Sequence, residues 1–328
     1  MDEPGATLVG WLGFAFLLPA CGGGGSTSPP DSPGPSGDAW AALIPMSEAR
    51  QEVGVAAVEG RIYVAGGFRA DRSTANTVEA YDVAANAWSF VAPMPLALNH
   101  CAAVSLSGRL YVVGGSLPSG APSASLLEYD PRRNDWQVRS AMPTARSAPV
   151  ADVFGGRIYV AGGTPGGTTL EAYDPTVDRW QPLPPMPTPR NHVAGGVVGM
   201  RLFAAGGRPP NTLSVLEAFD TAASSWARLT PMPTGRSGHA GAVVRGCLYL
   251  FGGEGNAGSP SGVFPQSEAY DPRTNTWESR APMLNPRHGI GAAVVDDRVF
   301  IPGGATSQGF GATTIHDVYT PPRDKSCR

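Results

Sequence analysis

LEAYDPTVDRWQPLPPMPTPRNHVAGGVVGMRLFAAGG, residues 170–207, holds one full period of a pattern that runs through the chain. Its fixed points are Glu171, Tyr173, Asp174, Trp180, Met186, Arg190 and Gly206-Gly207. Outward from this stretch, six Gly-Gly pairs begin at Gly66, Gly114, Gly162, Gly206, Gly252 and Gly303. Six tryptophans stand at Trp40, Trp88, Trp136, Trp180, Trp226 and Trp277, each followed six residues later by Met46, Met94, Met142, Met186, Met232 or Met283. Four residues beyond each Met comes Arg50, Leu98, Arg146, Arg190, Arg236 or Arg287, and the Gly-Gly follows sixteen residues later in every copy. Asp82, Asp130, Asp174, Asp220 and Asp271 each precede a Trp by six. Self-similarity in one register is the mark of stacked supersecondary units.

The segments between these points read as short strands. Strand A is the apolar stretch after the Arg, such as Val53–Val58; a turn that usually ends Gly-Arg leads to strand B, such as 62–65. Strand C carries Glu-Ala-Tyr, and strand D starts at the Trp. Such a four-stranded antiparallel sheet cannot bury both faces alone, whereas six arranged around an axis cover one another and leave only short edges. The Gly-Gly ends strand B, where a positive φ or a close backbone approach excludes a side chain. The last copy has strands A to C but no Trp after it, and Trp40 has no strand C before it. The ring is therefore expected to close with the N-terminal strand at 40–43 completing the last blade. The pattern E-x-[YF]-D-x5-W, continued as W-x5-M-x3-R-x15-GG, resembles the kelch repeat and covers residues 38–321. That resemblance implies an all-β, six-bladed β-propeller of four-stranded blades, followed by a polar tail at 322–328.

The bulk composition agrees. The 328 residues include 43 Gly and 33 Pro but only 16% charged residues, a profile of many short strands joined by tight turns. A net charge of −3 offers nothing to a polyanion, so no nucleic-acid partner is expected, and a monomer is. Cys21, Cys101, Cys247 and Cys327 make no CxxC pair or zinc spacing. Setting Cys21 aside leaves an odd number, which argues against a disulfide framework. Cys101 and Cys247 fall three blades apart, beyond the roughly 7 Å limit for a disulfide, and Cys327 sits on the polar tail.

Ahead of the repeats, residues 6–18 (ATLVGWLGFAFLL) form an apolar run of thirteen. That is short of the roughly 20 residues a bilayer span needs and suits a signal peptide. The run ends in Leu18-Pro19-Ala20-Cys21, which resembles the lipobox of bacterial lipoproteins, although Pro at the second position is uncommon and Asp2 and Glu3 replace the usual basic start. The resemblance implies a signal at 1–20, a lipid on Cys21, and a flexible tether at 21–37 rich in Gly, Ser and Pro. With Gly22 after the cysteine, it implies an outer-membrane anchor, the lipid being the chain's contact with the membrane.

What repeats is scaffold, and what differs is free to serve function. The Arg series and the carboxylate series Glu79, Glu128, Glu171, Glu217, Glu268 and Asp317 are expected to form structural ion pairs. Arg61, Arg109, Arg157, Arg201 and Arg298, after the A–B turn, are read as scaffold too. Length varies in the B–C connection alone, where the second Gly and the strand C carboxylate are separated by 12, 13, 8, 10, 15 and 13 residues. Antiparallel alternation puts the B–C and D–A loops at one end, the expected recognition face. The resemblance agrees, since peptide-binding kelch domains use these two loop sets. The candidate ligand-binding residues are Glu52, Phe68, Arg69, His100, Asn191, His192, Arg208, Glu254 and His288.

No catalytic residue is assigned. His100, His192, His239 and His288 fall near this face, but His100 lies in blade two and the others in blades four, five and six, where those three occupy different offsets from their Arg, so no metal or other cofactor is expected. Kelch-containing galactose oxidases use a copper centre, and no matching Cys–Tyr and His arrangement is present. The leading expectation is an extracytoplasmic module that binds a protein or glycan through the loop face. The alternative is a periplasmic sugar-converting enzyme resembling the six-bladed kelch N-acetylneuraminate epimerases, with Glu52, Glu254, Arg69 and Arg208 as its acid–base candidates.

Overall fold

Each repeat folds as a four-stranded antiparallel blade, the first from Gly54–Val58, Arg61–Ala65, Val78–Asp82 and Ala87–Val91 as strands A to D. The computed structural model describes Met1 and residues 37–324 and 326–327, and six such sheets form a six-bladed propeller. The A strands face the axis, where together they line a channel cavity of about 270 Å³. The D strands are outermost, with every residue but the Trp and the strand end exposed in blades one to three and five. Among the described residues no helix is long and apolar enough to cross a membrane.

The repeated residues are the joints between blades. Each Trp indole N–H donates to the carbonyl four residues after the Trp of the preceding blade: Trp88 to Ile44, Trp136 to Ala92, Trp180 to Ser140, Trp226 to Pro184 and Trp277 to Thr230, at 2.7–3.1 Å. The second Gly of each pair donates to the carbonyl of the next blade's Arg-series residue, as Gly67 does to Leu98 (2.8 Å) and Gly304 to Arg50 (2.8 Å). Gly66 and Gly67 have φ of 63° and 94°, and a Cβ on Gly66 would lie 2.1 Å from the Leu98 carbonyl oxygen. Both reasons for glycine therefore apply at once: a left-handed backbone and a neighbouring blade in contact.

The last joint closes the ring as expected. Ala39–Ala42 pairs antiparallel with His316–Thr320, setting Trp40 opposite Tyr319. Trp40 donates to Ala281 at 2.9 Å, the same clamp that joins every other pair of blades. Asp38 accepts from the Ala281 N–H (2.9 Å) and the Tyr319 hydroxyl (2.7 Å), as Asn134 does for Ala92 and Tyr129.

Five blades carry a fully buried Arg–carboxylate pair: Arg50–Glu79, Arg146–Glu171, Arg190–Glu217, Arg236–Glu268 and Arg287–Asp317, at 2.6–2.9 Å. The second blade corrects the expected series. Leu127, not Glu128, stands opposite Val112 on strand B, the place that Glu79 takes opposite Val64. Both halves of the pair are thus leucine there, Leu98 and Leu127, each fully buried in one core cluster. Glu128 points to the other face and meets Arg139 at 2.7 Å. At the opposite end, Arg61, Arg157 and Arg201 pair with Asp82, Asp174 and Asp220 at the strand ends, as scaffold.

The cysteines depart from expectation. Cys247 and Cys327 form a disulfide with Cα atoms 5.0 Å apart, leaving Cys101 as a buried free thiol. Strand C of the sixth blade runs out at the end where strand B of the fifth begins, so the tail turns back onto its neighbour. Cys327 donates its N–H to Arg245 at 2.9 Å. Counting residues misled because Cys101, sealed in the core, was never available as a partner. Closing a loop across 80 residues stabilises by about 2–4 kcal/mol. The expected signal, the expected lipidation site Cys21 and the expected tether up to residue 36 lie outside the described residues.

Candidate functional site

At the loop end the channel is rimmed by a closed ring of backbone hydrogen bonds. The residue two after each Arg-series position is in the left-handed region: Glu52 (φ 55°), His100 (52°), Ala148 (54°), His192 (52°), Gly238 (62°) and Gly289 (60°). Each donates its N–H to the same residue of the preceding blade: His100 to Glu52, Ala148 to His100, His192 to Ala148, Gly238 to His192, Gly289 to Gly238, and Glu52 to Gly289, at 2.7–3.1 Å. The six lie around a cavity of about 80 Å³ on the axis. Three carry polar, ionisable side chains, Glu52, His100 and His192, while alanine and two glycines leave room for them. A Cβ on Gly289 would fall 2.8 Å from Glu52 Oε1, so the carboxylate uses the space that this glycine leaves.

The histidines are held by the residues before them. His100 Nδ1–H donates to Asn99 Oδ1 and His192 Nδ1–H to Asn191 Oδ1, both at 2.6 Å, which turns the two Nε2 atoms inward. The rings meet edge to face with centroids 5.0 Å apart. His100 Nε2 is 3.5 Å from Glu52 Oε2, and His192 Nε2 accepts from the Arg208 guanidinium at 3.0 Å. Burial pushes His192 down to about 3, with the Glu52 carboxylate pulling the other way, so this ring is neutral at physiological pH. Burial would raise the Glu52 carboxyl, but the electrostatic pull of its surroundings, from His100 first and more weakly from His288 and Arg208, more than offsets it and holds it below the usual carboxylate range.

A second layer comes from the first residues after Gly-Gly. Arg208 bonds Glu254 closely and reaches Ser237 Oγ at 3.4 Å. Glu254 also accepts from Gly309 N–H at 3.2 Å, fixing the long B–C loop of the sixth blade over the mouth. His288 donates Nε2–H to the Ser307 carbonyl at 2.9 Å, and its Nδ1 lies 3.5 Å from Glu254 and 3.6 Å from Glu52. One imidazole therefore stands between two carboxylates. A cavity of about 240 Å³ opens among these groups, and a neighbouring one of about 220 Å³ shares Arg208, Glu254 and Gln308 with it.

Of the nine expected residues, Glu52, Phe68, His100, Arg208, Glu254 and His288 line the larger cavity, with His192 against Arg208 and Asn191 behind His192. Arg69 does not join them; it pairs with Glu48 at 2.5 Å. Glu254 and His288 are both buried under the sixth-blade B–C loop, Glu254 through Gly309 and His288 through Ser307. His239 is not at the rim but packs under it, one residue further along than His100, with burial holding it well below the usual histidine range. The expectation that the histidines stay apart is overturned for His100 and His192. Their blades are separated by a third, but at the axis all six blades converge. Gln51, Gln308 and Phe310 were missed: Gln51 anchors the sixth-blade loop through Gly309 O and Gly311 N–H (3.0 and 2.9 Å), and the loop brings the other two to the cavity. The length of that B–C connection was the available signal.

Further down the channel, Asp152 faces the axis, but its carboxylate is occupied by the N–H groups of Val153 and Val197 at 2.7 and 2.6 Å. The chemistry therefore gathers at the loop end.

The family model for the KLHDC2/KLHL20/DRC7 Kelch-repeats domain matches residues 52–253, and that for the Kelch motif matches 235–284. The "Kelch-like protein terF" of Aspergillus terreus (strain NIH 2624 / FGSC A1156) is 42% identical over 71 residues, 22% of this chain and 16% of that protein. This chain thus spans well under two thirds of that relative's length. Among solved structures, the "Structure of YjhT" superposes with a TM-score of 0.73 at 17% identity, over 86% of this chain and 98% of that one. At this identity the likeness is one of fold.

Proposed function

The chain belongs to the kelch-repeat family, and from that premise we propose that it is a binding module that takes a protein or glycan ligand at the loop-end mouth of the channel. One observation carries this: the positions that differ between blades converge on a single cavity, while those that repeat hold the blades together. The cavity offers a guanidinium, two carboxylates and imidazoles beside the rings of Phe68 and Phe310. Hydroxyl pairs can bridge a carboxylate and a guanidinium while an apolar sugar face or side chain lies on an aromatic ring, which favours one sugar unit or a short polar peptide turn. A glycan array and an envelope pull-down with residues 38–328 would find the ligand. Arg208→Ala should then weaken binding by at least about tenfold, the loss of one charge-assisted hydrogen bond. Arg298→Ala, at the other end, should leave binding intact; loss through Arg298 alone would assign recognition to the wrong face.

His288, set between Glu52 and Glu254, also supports a second reading, a sugar-converting enzyme that moves a proton through this group. Variants that bind normally but lose turnover of a sialic acid or related sugar would favour it.

The module is further proposed to be tethered to the bacterial outer membrane through a lipid on Cys21. The Cys247–Cys327 disulfide supports an oxidising, extracytoplasmic setting. Cys21→Ser should abolish lipid labelling and release the protein from membranes; unchanged labelling would sink the assignment.

A further inference from the structure

We propose that Glu52, His100 and His192 form a site for one divalent first-row transition-metal ion at the channel mouth. The inference goes beyond ligand recognition and does not depend on it.

Three observations converge on it. First, one ligating atom from each of the three residues lies within 4.8 Å of the others. A tetrahedral ion with bonds of about 2.1 Å holds its ligands roughly 3.4 Å apart, so the set must contract by up to about 1.4 Å. Side-chain torsions can supply that, because His100 and Glu52 retain 19% and 10% exposure.

Second, both histidines are presented as metal ligands are. An imidazole that binds metal through one nitrogen donates its other N–H to a carbonyl or carboxylate, which fixes tautomer and orientation. Asn99 and Asn191 do this identically for His100 and His192. Asn99 is itself held by Thr74 Oγ1 at 2.9 Å. The arrangement occurs in two blades out of six, and these are the two whose ring positions carry histidine.

Third, with Nδ1 protonated, His100 presents the lone pair of Nε2 to Glu52 Oε2 at 3.5 Å. Two acceptors face each other, an arrangement that favours a cation between them. Imidazole with carboxylate suits zinc and its first-row neighbours rather than calcium or magnesium. Two nitrogens and one carboxylate leave at least one coordination position open, toward the cavity. Arg208 now occupies that approach through its contact with His192 Nε2, so it competes with the ion and must swing onto Glu254, which it already contacts.

Untagged, metal-stripped full-length chain would be titrated with Zn²⁺ by equilibrium dialysis, and with Co²⁺ by absorption. One ion per chain should bind, and Co²⁺ should give the intense visible bands of a four- or five-coordinate nitrogen–oxygen site. His100→Gly and His192→Gly keep the left-handed backbone, because Gly238 and Gly289 already serve there in the ring. Each should lose affinity at least about 100-fold with an unchanged circular dichroism spectrum. Glu52→Gln should weaken binding, and Asn191→Ala should cost about 10–100-fold through the orientation of His192. Arg208→Ala should bind the ion as tightly as the parent or more so. The proposal is overturned if the parent binds no stoichiometric ion, or if the two histidine variants bind it as the parent does. It is equally overturned if Arg208→Ala loses the ion along with them. Since no organic ligand is present, failure here would leave the binding-module proposal untouched.

Discussion

Trp40→Ala is expected to lower stability by about 3–5 kcal/mol, and removal of residues 38–44 by more, although these residues lie at the far end of the chain from the blade they complete. Four things are lost together. The indole packs against Phe251 and Tyr319 with ring centroids 5.4 and 5.2 Å away. Its N–H makes the Trp clamp between the fifth and sixth blades, to Ala281. Deletion also removes Asp38 from Ala281 N–H and the Tyr319 hydroxyl, and strips strand His316–Thr320 of its outer neighbour. A buried tyrosine hydroxyl without its acceptor and an open sheet edge both add cost. Urea unfolding of the parent, Trp40→Ala and the deletion would measure it. Trp136→Ala, in the middle of the chain, should cost a similar amount, because its clamp to Ala92 is the same joint. A deletion variant that unfolds cooperatively at the parent's midpoint would show that the N-terminal strand does not close the ring.

How much of this was legible follows from what kind of information each feature uses. The blade joints are local in register: Trp, Met, Arg and Gly-Gly recur at fixed offsets, so the strand order and even the closure through Trp40 could be read directly. Glu128 marks the edge of that method. The stretch Leu126-Leu127-Glu128-Tyr129-Asp130 contains a glutamate one place late, and only the strand pairing opposite Val112 reveals that Leu127 holds the structural position. The disulfide was hidden because it depends on where a tail goes after the last repeat. At the mouth, the variable loops pointed to Glu52, Arg208 and Glu254, which the fold brings to one cavity. The meeting of His100 and His192 was missed because blade number measures angle around the axis, whereas contact depends on distance from it. The ring of left-handed residues carries that information, and the shared offset of Glu52, His100 and His192, two after their Arg or Leu, was its trace in the sequence.

The leucine pair of the second blade leads to the other large effect. In the fourth blade Arg190 is fully buried, donating to Glu217 at 2.6 Å and to the Ala204 carbonyl at 2.9 Å, while Thr188 donates to the second carboxylate oxygen at 2.7 Å. Arg190→Leu leaves a buried carboxylate whose remaining partner is Thr188, and Glu217→Leu leaves a buried guanidinium. Each single change should cost about 3–5 kcal/mol, the penalty for breaking a buried pair from one side. The double variant Arg190→Leu/Glu217→Leu should recover most of that loss. Two charges no longer need to be held out of water, and the side chains become those that pack as Leu98 and Leu127 in the same fold. Replacing a buried pair outright by apolar residues is commonly neutral or stabilising, so the double variant should fall within about 1 kcal/mol of the parent. Chemical denaturation of the four proteins forms a double-mutant cycle, with an expected coupling of several kcal/mol. If the double variant were as unstable as the sum of the singles, the second blade's leucines would depend on their own surroundings and the pair would not be an exchangeable module of the blade.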